Sequence, residues 1–242
     1  MGRSLGVTSK IRFREIIAPK DPALPRAHRL LRQSFHASEL VGRSEWRSSL
    51  AERNAGLWSD IRWHIEVAEQ GSTVVGLATG TYLGNVNVGV IGYLAVAPSA
   101  RGLGVGPKLR SRLRAAFRRD ARSVAHKDLA AVVGEVRRDN PWLRTLIKRD
   151  RVLALDFAYH QPRLRPDEDP VPLVMYYESL GRPRRSLSVS YLKKLLFTIW
   201  RRVYRTPRPL ATTSFRRIMR DLEGRTVIRQ VRLKDLDLGA AE

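Results

Sequence analysis

The 242-residue sequence has no cysteine, and none of its apolar runs is long. Without cysteine, neither a disulfide framework nor a cysteine-based zinc site can form. A membrane-spanning helix needs about 20 consecutive apolar residues, and the first residues of the chain also lack the apolar core of a signal peptide. We therefore expect a soluble protein of the cytoplasm.

Acidic residues are also scarce: 23 Asp and Glu stand against 45 Lys and Arg, which gives a net charge of +22. Residues 1–180 carry 29 basic and 18 acidic residues, and residues 181–242 carry 16 and 5. Residues 181–242 thus have the same net charge as residues 1–180 in about a third of the length. An arginine-rich genome explains the charge of residues 1–180 adequately, but the charge of residues 181–242 less well. Such a field attracts polyanions, so residues 181–242 are expected to meet an acidic partner, nucleic acid or anionic membrane.

The segment from Val88 to Phe117 is the most informative part of the sequence. Val88 to Val96 is apolar and short enough for a buried strand, and glycines at positions 102, 104 and 106 follow it. The next apolar residues recur every four positions, as on one face of a helix: Val105, Leu109, Leu113 and Phe117. A glycine turn that opens a helix presents unpaired N–H groups and the positive end of the helix dipole to an anion. The pattern therefore predicts a pyrophosphate site.

Glycine-rich turns also occur in purely structural connections, so the details of the pattern matter. This turn lacks the Gly-Lys-Ser/Thr ending of a Walker loop, and its Gly-x-Gly-x-Gly spacing does not fit the dinucleotide-binding fingerprint. Arg101-x-x-Gly104-x-Gly106 instead resembles the acyl-CoA signature of the GNAT superfamily of N-acyltransferases, Gln/Arg-x-x-Gly-x-Gly/Ala. Here it follows a predicted strand and opens a predicted helix.

The resemblance implies an α/β (α+β) fold over residues 1–180, with a mixed, mostly antiparallel central sheet flanked by helices. It also implies acetyl-CoA as the acyl donor, and a β-bulge whose freed backbone groups pair with the pantetheine arm. The residues expected to bind the donor are Leu94, Ala95, Val96, Arg101, Gly102, Leu103, Gly104, Val105, Gly106 and Asn140. The five histidines show no metal-ligand spacing, so we predict no metal.

Periodicity and turn residues predict the other elements of this domain. Strands are expected at residues 10–17, 63–69, 73–83, 129–136, 154–162 and 171–177, and helices at 21–35, 37–54 and 106–122. Their order along the chain is the order that the resemblance implies.

A second GNAT signature is matched in part, at Glu135, Val136, Asn140 and Leu146. Ile147 stands where the family commonly has a tyrosine that reprotonates the CoA thiolate, and Tyr159 is the best replacement for that acid. Glu135 is our first choice for the base that deprotonates the amine, because burial in an apolar strand would raise its pKa. An ion pair with an arginine is an equally reasonable role for Glu135, and Glu66 is the alternative base.

Residues 181–242 are interpreted as a basic C-terminal extension of the domain. Helices are expected from Ser188 to Arg205 and at 213–222, followed by a strand at 225–233. The first helix has an apolar face formed by Leu192, Leu195, Leu196, Ile199 and Val203. Burial of each side chain is worth about 1.5–3 kcal/mol, so we expect docking on the domain, with Arg201, Arg202 and Arg205 facing outwards. The alternative is a helix that lies on anionic lipid through the same face.

Three functions are compatible with these features. The first is an N-acetyltransferase that moves the acetyl group of acetyl-CoA to an amine. The second uses a longer acyl-CoA or an acyl carrier protein, whose acidic surface the basic chain would attract. The third is a GNAT fold without catalysis that binds nucleic acid or anionic membrane through its extension. The intact glycine turn favours the first two, and we prefer the first.

Overall fold

The computed structural model describes residues 10–149, 151–165 and 169–231. The elements follow one another as β1 (Arg12–Glu15), α1 (Ala23–Ser34), α2 (Arg43–Asn54), β2 (Ile61–Gln70), β3 (Thr73–Leu83), β4 (Val88–Val96), α3 (Val105–Val124), β5 (Ala131–Val136), α4 (Pro141–Ile147), β6 (Val152–Ala154), β7 (Tyr159–His160), β8 (Pro172–Ser179), β9 (Ser186–Ser188), α5 (Val189–Arg202), α6 (Thr213–Asp221) and β10 (Val227–Arg229).

Eight of the described strands form a central sheet in the order β1-β2-β3-β4-β5-β8-β6, and β7 also pairs with β8. Neighbouring strands are antiparallel except β4 and β5, which are parallel and joined through α3. The predicted fold class, a mixed and mostly antiparallel sheet flanked by helices, is confirmed. Within the described ranges, no helix is long and apolar enough to cross a membrane.

Helix α3 packs on one face of the sheet through the residues whose spacing predicted it. Val105, Leu109, Leu113 and Phe117 are at most 1% exposed. Gly80 and Gly89 make room for the Phe117 ring, because a Cβ atom on either residue would lie 2.5 or 2.1 Å from it. These glycines therefore allow the helix to approach β3 and β4 closely.

Helices α1 and α2 pack on the opposite face, where Leu31 and Leu50 are fully buried beside Ile65 of β2. The second helix is shorter than predicted. A 3-10 turn at Ala37–Glu39 comes first, and α2 begins only after Gly42, whose backbone is extended. An irregular loop between α1 and α2 consequently faces the middle of the sheet.

The strand predicted at 154–162 is wrong in its middle, because β6 ends at Ala154 and β7 begins at Tyr159. Between them the backbone pairs with the end of the extension. Asp156 N donates to Arg229 O at 3.0 Å, and Val231 N donates to Ala154 O at 2.8 Å. The end of the extension therefore pairs with these residues, where the alternating sequence pattern predicted one continuous strand.

Helix α5 of the extension packs on the face of the sheet opposite α3. Of the predicted apolar face, Leu192, Leu195, Leu196 and Ile199 are buried, and Val203 is partly buried in the same cluster. They lie in one hydrophobic cluster with Val90 of β4, Val133 of β5 and Met175 of β8. The strand predicted at 225–233 forms at Val227–Arg229, where it pairs with β9, and residues 232–233 lie outside the described residues.

The arginines at the end of α5 differ from the prediction in one case: Arg202 is half-buried, whereas Arg205 is exposed although it is ion-paired. Arg201 is exposed. Arg202 pairs with Asp60 at 2.8 Å, and Arg205 pairs with Glu52 of α2 at 2.8 Å. Docking of the apolar face brings the end of α5 within reach of these carboxylates, which the sequence pattern of a single helix does not reveal.

Candidate active site

The two central parallel strands, β4 and β5, separate halfway along their length. Their pairing ends at Ile91 and Gly134. On the other side of β4, the register against β3 shifts, so that Gly92 is an extra residue in β4. Gly92 is exposed although it lies in the centre of the sheet. A β-bulge of this kind bends a strand and leaves backbone groups unpaired, and it lies two residues before Leu94.

A cleft of about 1470 Å³ opens where the strands diverge. Single ligand pockets usually measure about 300–1,000 Å³, so this cleft has room for a large donor and a second substrate. The α1–α2 loop forms one wall through Phe35 and Glu39, and Trp46 of α2 lies beside them. Tyr93 of β4 fixes this wall, since its hydroxyl donates to Glu39 O at 2.6 Å and accepts from Val41 N at 3.1 Å.

A second pocket of about 380 Å³ lies at the start of α3. Its lining consists of Val96, Ala100, Arg101, Gly102, Gly104, Val105, Gly106 and Pro107. Gly102 and Gly104 have φ angles of +77° and +71°, a left-handed conformation that favours glycine. The helical bond from Lys108 N to Gly104 O follows the turn, so the preceding N–H groups have no intrahelical acceptor. This geometry suits a pyrophosphate.

The predicted donor-binding residues therefore fall into three places. Val96 and the turn residues surround the second pocket, except Leu103, which is 62% exposed and does not line it. Leu94 lines the large cleft, and Ala95 is buried between them in the core. Strand β4 thus borders both pockets.

Asn140 lines the large cleft and caps α4, a helix that the sequence did not predict. Its Oδ1 atom accepts a hydrogen bond from Trp142 N at 3.0 Å. The Trp142 ring lies 5.9 Å from the guanidinium carbon of Arg110, which reaches the cleft from α3 and donates to Glu178 at 2.5 Å. Arg110 and Trp142 were not singled out from the sequence, and they line the side of the cleft between α3 and α4.

Glu135 lies in β5 just beyond the last residue paired with β4, and it lines the cleft. Its Oε1 atom accepts from the Tyr159 hydroxyl at 2.5 Å, and its Oε2 atom accepts from the Tyr204 hydroxyl. Burial raises the pKa of Glu135, although these two hydrogen bonds oppose the rise. Burial and the charge of Glu135 hold the pKa values of both tyrosines well above the usual range. The structure thus brings the predicted base and the predicted acid together.

Glu66, the alternative base, lies elsewhere. Its side chain is 2% exposed and accepts from Arg112 Nε of α3 at 2.5 Å, on the other face of the sheet. Burial raises the pKa of Glu66, and the arginine opposes that rise. Glu66 does not line the large cleft, whereas Glu135 does.

Tyr204 is a further site residue that the sequence pattern did not single out. It follows α5 and comes from the extension, 69 residues away from Glu135. A signal was present, since Leu196, Trp200 and Tyr204 continue the apolar face of α5 at intervals of four residues. That spacing indicated an inward-facing ring, but not what the ring would meet.

Comparison with known proteins agrees with this geometry. Residues 25–134 match the sequence model of the acetyltransferase (GNAT) family. One similar structure is a protein from Bacteroides thetaiotaomicron assigned to the GNAT family, with 16% identity, a TM-score of 0.56 and coverage of 80% of this chain and 98% of that chain. Another is an N-acetyltransferase from Staphylococcus aureus Mu50, with 15% identity, a TM-score of 0.52 and coverage of 72% and 100%. No curated protein matches the chain significantly.

At these identities the solved structures show the fold alone. The matched residues extend from the third residue of α1 to the middle of β5 and include the whole glycine turn. The resemblance predicted from the sequence is therefore confirmed: residues 25–134 match a GNAT acetyltransferase domain.

Proposed function

We propose that the chain is an N-acetyltransferase that moves an acetyl group from acetyl-CoA to an amine. The observation that carries this proposal is the arrangement of the site. The glycine turn at the start of α3 lines one pocket, Gly92 and Glu135 line the other, and β4 borders both through Val96 and Leu94. This is the arrangement that a pyrophosphate, a pantetheine arm and a reacting amine would need.

Binding of the donor relies mainly on backbone groups. The N–H groups around Gly102 and Gly104 would hold the pyrophosphate, where the helix dipole favours negative charge. The pantetheine arm would pair with β4 beyond the bulge, as an added strand does. An N–H group freed by the bulge at Gly92 would then polarise the acetyl carbonyl.

The reaction needs a neutral amine, and Glu135 would take the proton from the ammonium ion. Acetyl-CoA supplies the acetyl group as an activated thioester. A nitrogen–carbon bond forms while the carbon–sulfur bond breaks. Tyr159 does not itself line the cleft, so it would return a proton to the sulfur by way of Glu135, to which it is hydrogen-bonded. Since both substrates are held in one cleft, proximity would contribute a large part of the rate.

Ligand-dependent thermal stability tests this proposal with the full chain. Acetyl-CoA and CoA are expected to raise the melting temperature, because a ligand that binds only the folded state stabilises it. Longer acyl-CoAs, an acyl carrier protein, DNA and RNA are compared in the same screen. Release of CoA thiol with a panel of amines then identifies the acceptor. Stabilisation by nucleic acid without any effect of CoA would refute the proposal.

Gly104→Val provides a variant for the donor site, and Gly56→Val is its matched control. Both glycines have positive φ angles, +71° and +67°, and at both an added Cβ atom would meet no atom within 4 Å. The backbone strain is therefore similar, but Gly56 lies at the end of α2 outside both pockets. Gly104→Val is expected to weaken CoA binding at least about tenfold, the cost of one lost charged hydrogen bond. Equal CoA affinities of the two variants would contradict the assignment of the turn.

A further inference from the structure

The extension contributes a side chain to the candidate active site. The hydroxyl of Tyr204 donates a hydrogen bond to Oε2 of Glu135, and Tyr204 lines the large cleft. Tyr204 lies outside the residues that match the family model. The extension therefore contributes to the candidate active site in addition to packing on the sheet.

The backbone after α5 turns sharply and directs Tyr204 towards the cleft. Tyr204 N donates to Ile199 O at 3.1 Å, and Thr206 N donates to Trp200 O at 2.9 Å. Between them, Arg205 has a φ angle of +54°, which a residue with a side chain rarely adopts. The hydrogen bonds on both sides stabilise this unfavourable conformation, as is typical of functional segments.

Ion pairs hold both sides of Tyr204. Arg202 bonds to Asp60, and Arg205 forms two bonds with Glu52 at 2.8 and 2.9 Å and a third with Ser49 Oγ at 2.9 Å. Exposed ion pairs contribute little to stability. Here they fix the position of a short segment against α2 and the residues before β2.

We propose that Tyr204 is a positioning residue that holds the Glu135 carboxylate in place and in its ionised form. This inference rests on the proposed role of Glu135 as the base. Tyr159 occupies one carboxylate oxygen and Tyr204 the other. A carboxylate that accepts hydrogen bonds is stabilised in its charged state, whereas burial favours the neutral acid. With both donors present, Glu135 is an oriented base that can still accept a proton.

The other groups around Glu135 do not duplicate this role. Tyr93 of β4 lies nearby: burial is the main cause of the raised pKa of Tyr93, and the charge of Glu135 also contributes. The Tyr93 hydroxyl, however, donates to Glu39 O and not to Glu135. Met175 of β8 pairs with Glu135 in the sheet and is apolar. Glu39 and Arg137 also line the cleft and pair with each other at 3.5 Å.

The test is a carbon-13 NMR titration of the full chain labelled at the glutamate carboxyl carbons. Glu135→Gln assigns the Glu135 signal. Tyr204→Phe removes one hydroxyl and is expected to raise the pKa of Glu135 by about 1 unit, because one of the two hydrogen bonds that stabilise the charged carboxylate is lost. Tyr191→Phe is the matched control, because Tyr191 lies in α5 beside Tyr177 and does not line the cleft. An unchanged Glu135 titration in folded Tyr204→Phe would overturn the proposal.

A second substitution keeps the test decisive if Tyr204→Phe does not fold. A monofluorinated tyrosine at position 204 has nearly the same shape and is a stronger donor, so it is expected to shift the pKa of Glu135 downwards. A shift in the opposite direction, or none, would contradict the inference. Neither titration needs an acceptor or acetyl-CoA. If wild-type protein fails to bind acetyl-CoA while both shifts occur, the proposed function is wrong and the pairing of Tyr204 with Glu135 stands.

Discussion

Replacing Leu196 by alanine tests whether the extension and the central sheet fold as one unit. Leu196 lies in α5, is 0% exposed and belongs to the same hydrophobic cluster as residues of β4, β5 and β8. The substitution removes buried carbon atoms without adding a polar group. If the extension is an integral part of the fold, the resulting cavity destabilises the whole chain.

The expected loss follows from the complete burial of the side chain. Buried Leu→Ala substitutions cost about 2–5 kcal/mol, from lost burial and the remaining cavity. A loss of about 3 kcal/mol would lower the melting temperature by roughly 6–12 °C in a chain of this size. This is a large part of the 5–15 kcal/mol that typically separates folded from unfolded proteins.

Urea unfolding and scanning calorimetry measure the loss. A single transition that shifts as a whole is expected for Leu196→Ala. Lys194→Ala is the matched control, since Lys194 lies two residues earlier on the exposed side of α5 and is expected to change stability by less than about 0.5 kcal/mol. Two features would refute the reasoning: a loss below about 1 kcal/mol, or an early separate transition of α5 that leaves the main transition unchanged.

Two further predictions concern Glu135 and His64. Glu135→Gln is expected to lower kcat most at pH values between the pKa of Glu135 and the pKa of the amine. The affinity for acetyl-CoA, measured by titration calorimetry, is expected to stay nearly unchanged. Full activity of the variant across this pH range would exclude Glu135 as the base. Burial opposes the charged form of His64, but its hydrogen bonds to Asp120 and Glu15, at 2.7 and 2.8 Å, raise its pKa above the usual value. The stability that protonated His64 contributes is therefore complete below about pH 6.5 and is lost as the pH rises through the raised pKa. The melting temperature of wild type relative to His64→Gln should fall over that range, and a difference independent of pH would contradict the prediction.

Local sequence patterns were sufficient for the elements whose partners are near in the chain. The four-residue spacing from Val105 to Phe117 predicted the buried face of α3, because residues on one helical face must pack on the same surface. The glycine pattern at 101–106 likewise predicted the turn and the resemblance to the family, since positive φ angles at Gly102 and Gly104 favour that residue type. Alternation and turn residues also placed the hairpin of β2 and β3 correctly.

Contacts between distant segments could not be predicted in the same way. Asp156 pairs with Arg229 instead of continuing a strand, and Arg205 meets Glu52 across 153 residues of sequence. The hydrogen bond from Tyr204 to Glu135 also depends on where α5 docks. A periodic pattern specifies which side of an element is apolar, but many surfaces could bury that side equally well. The choice among them depends on packing of the whole sheet, and here it is this packing that brings the extension to the site.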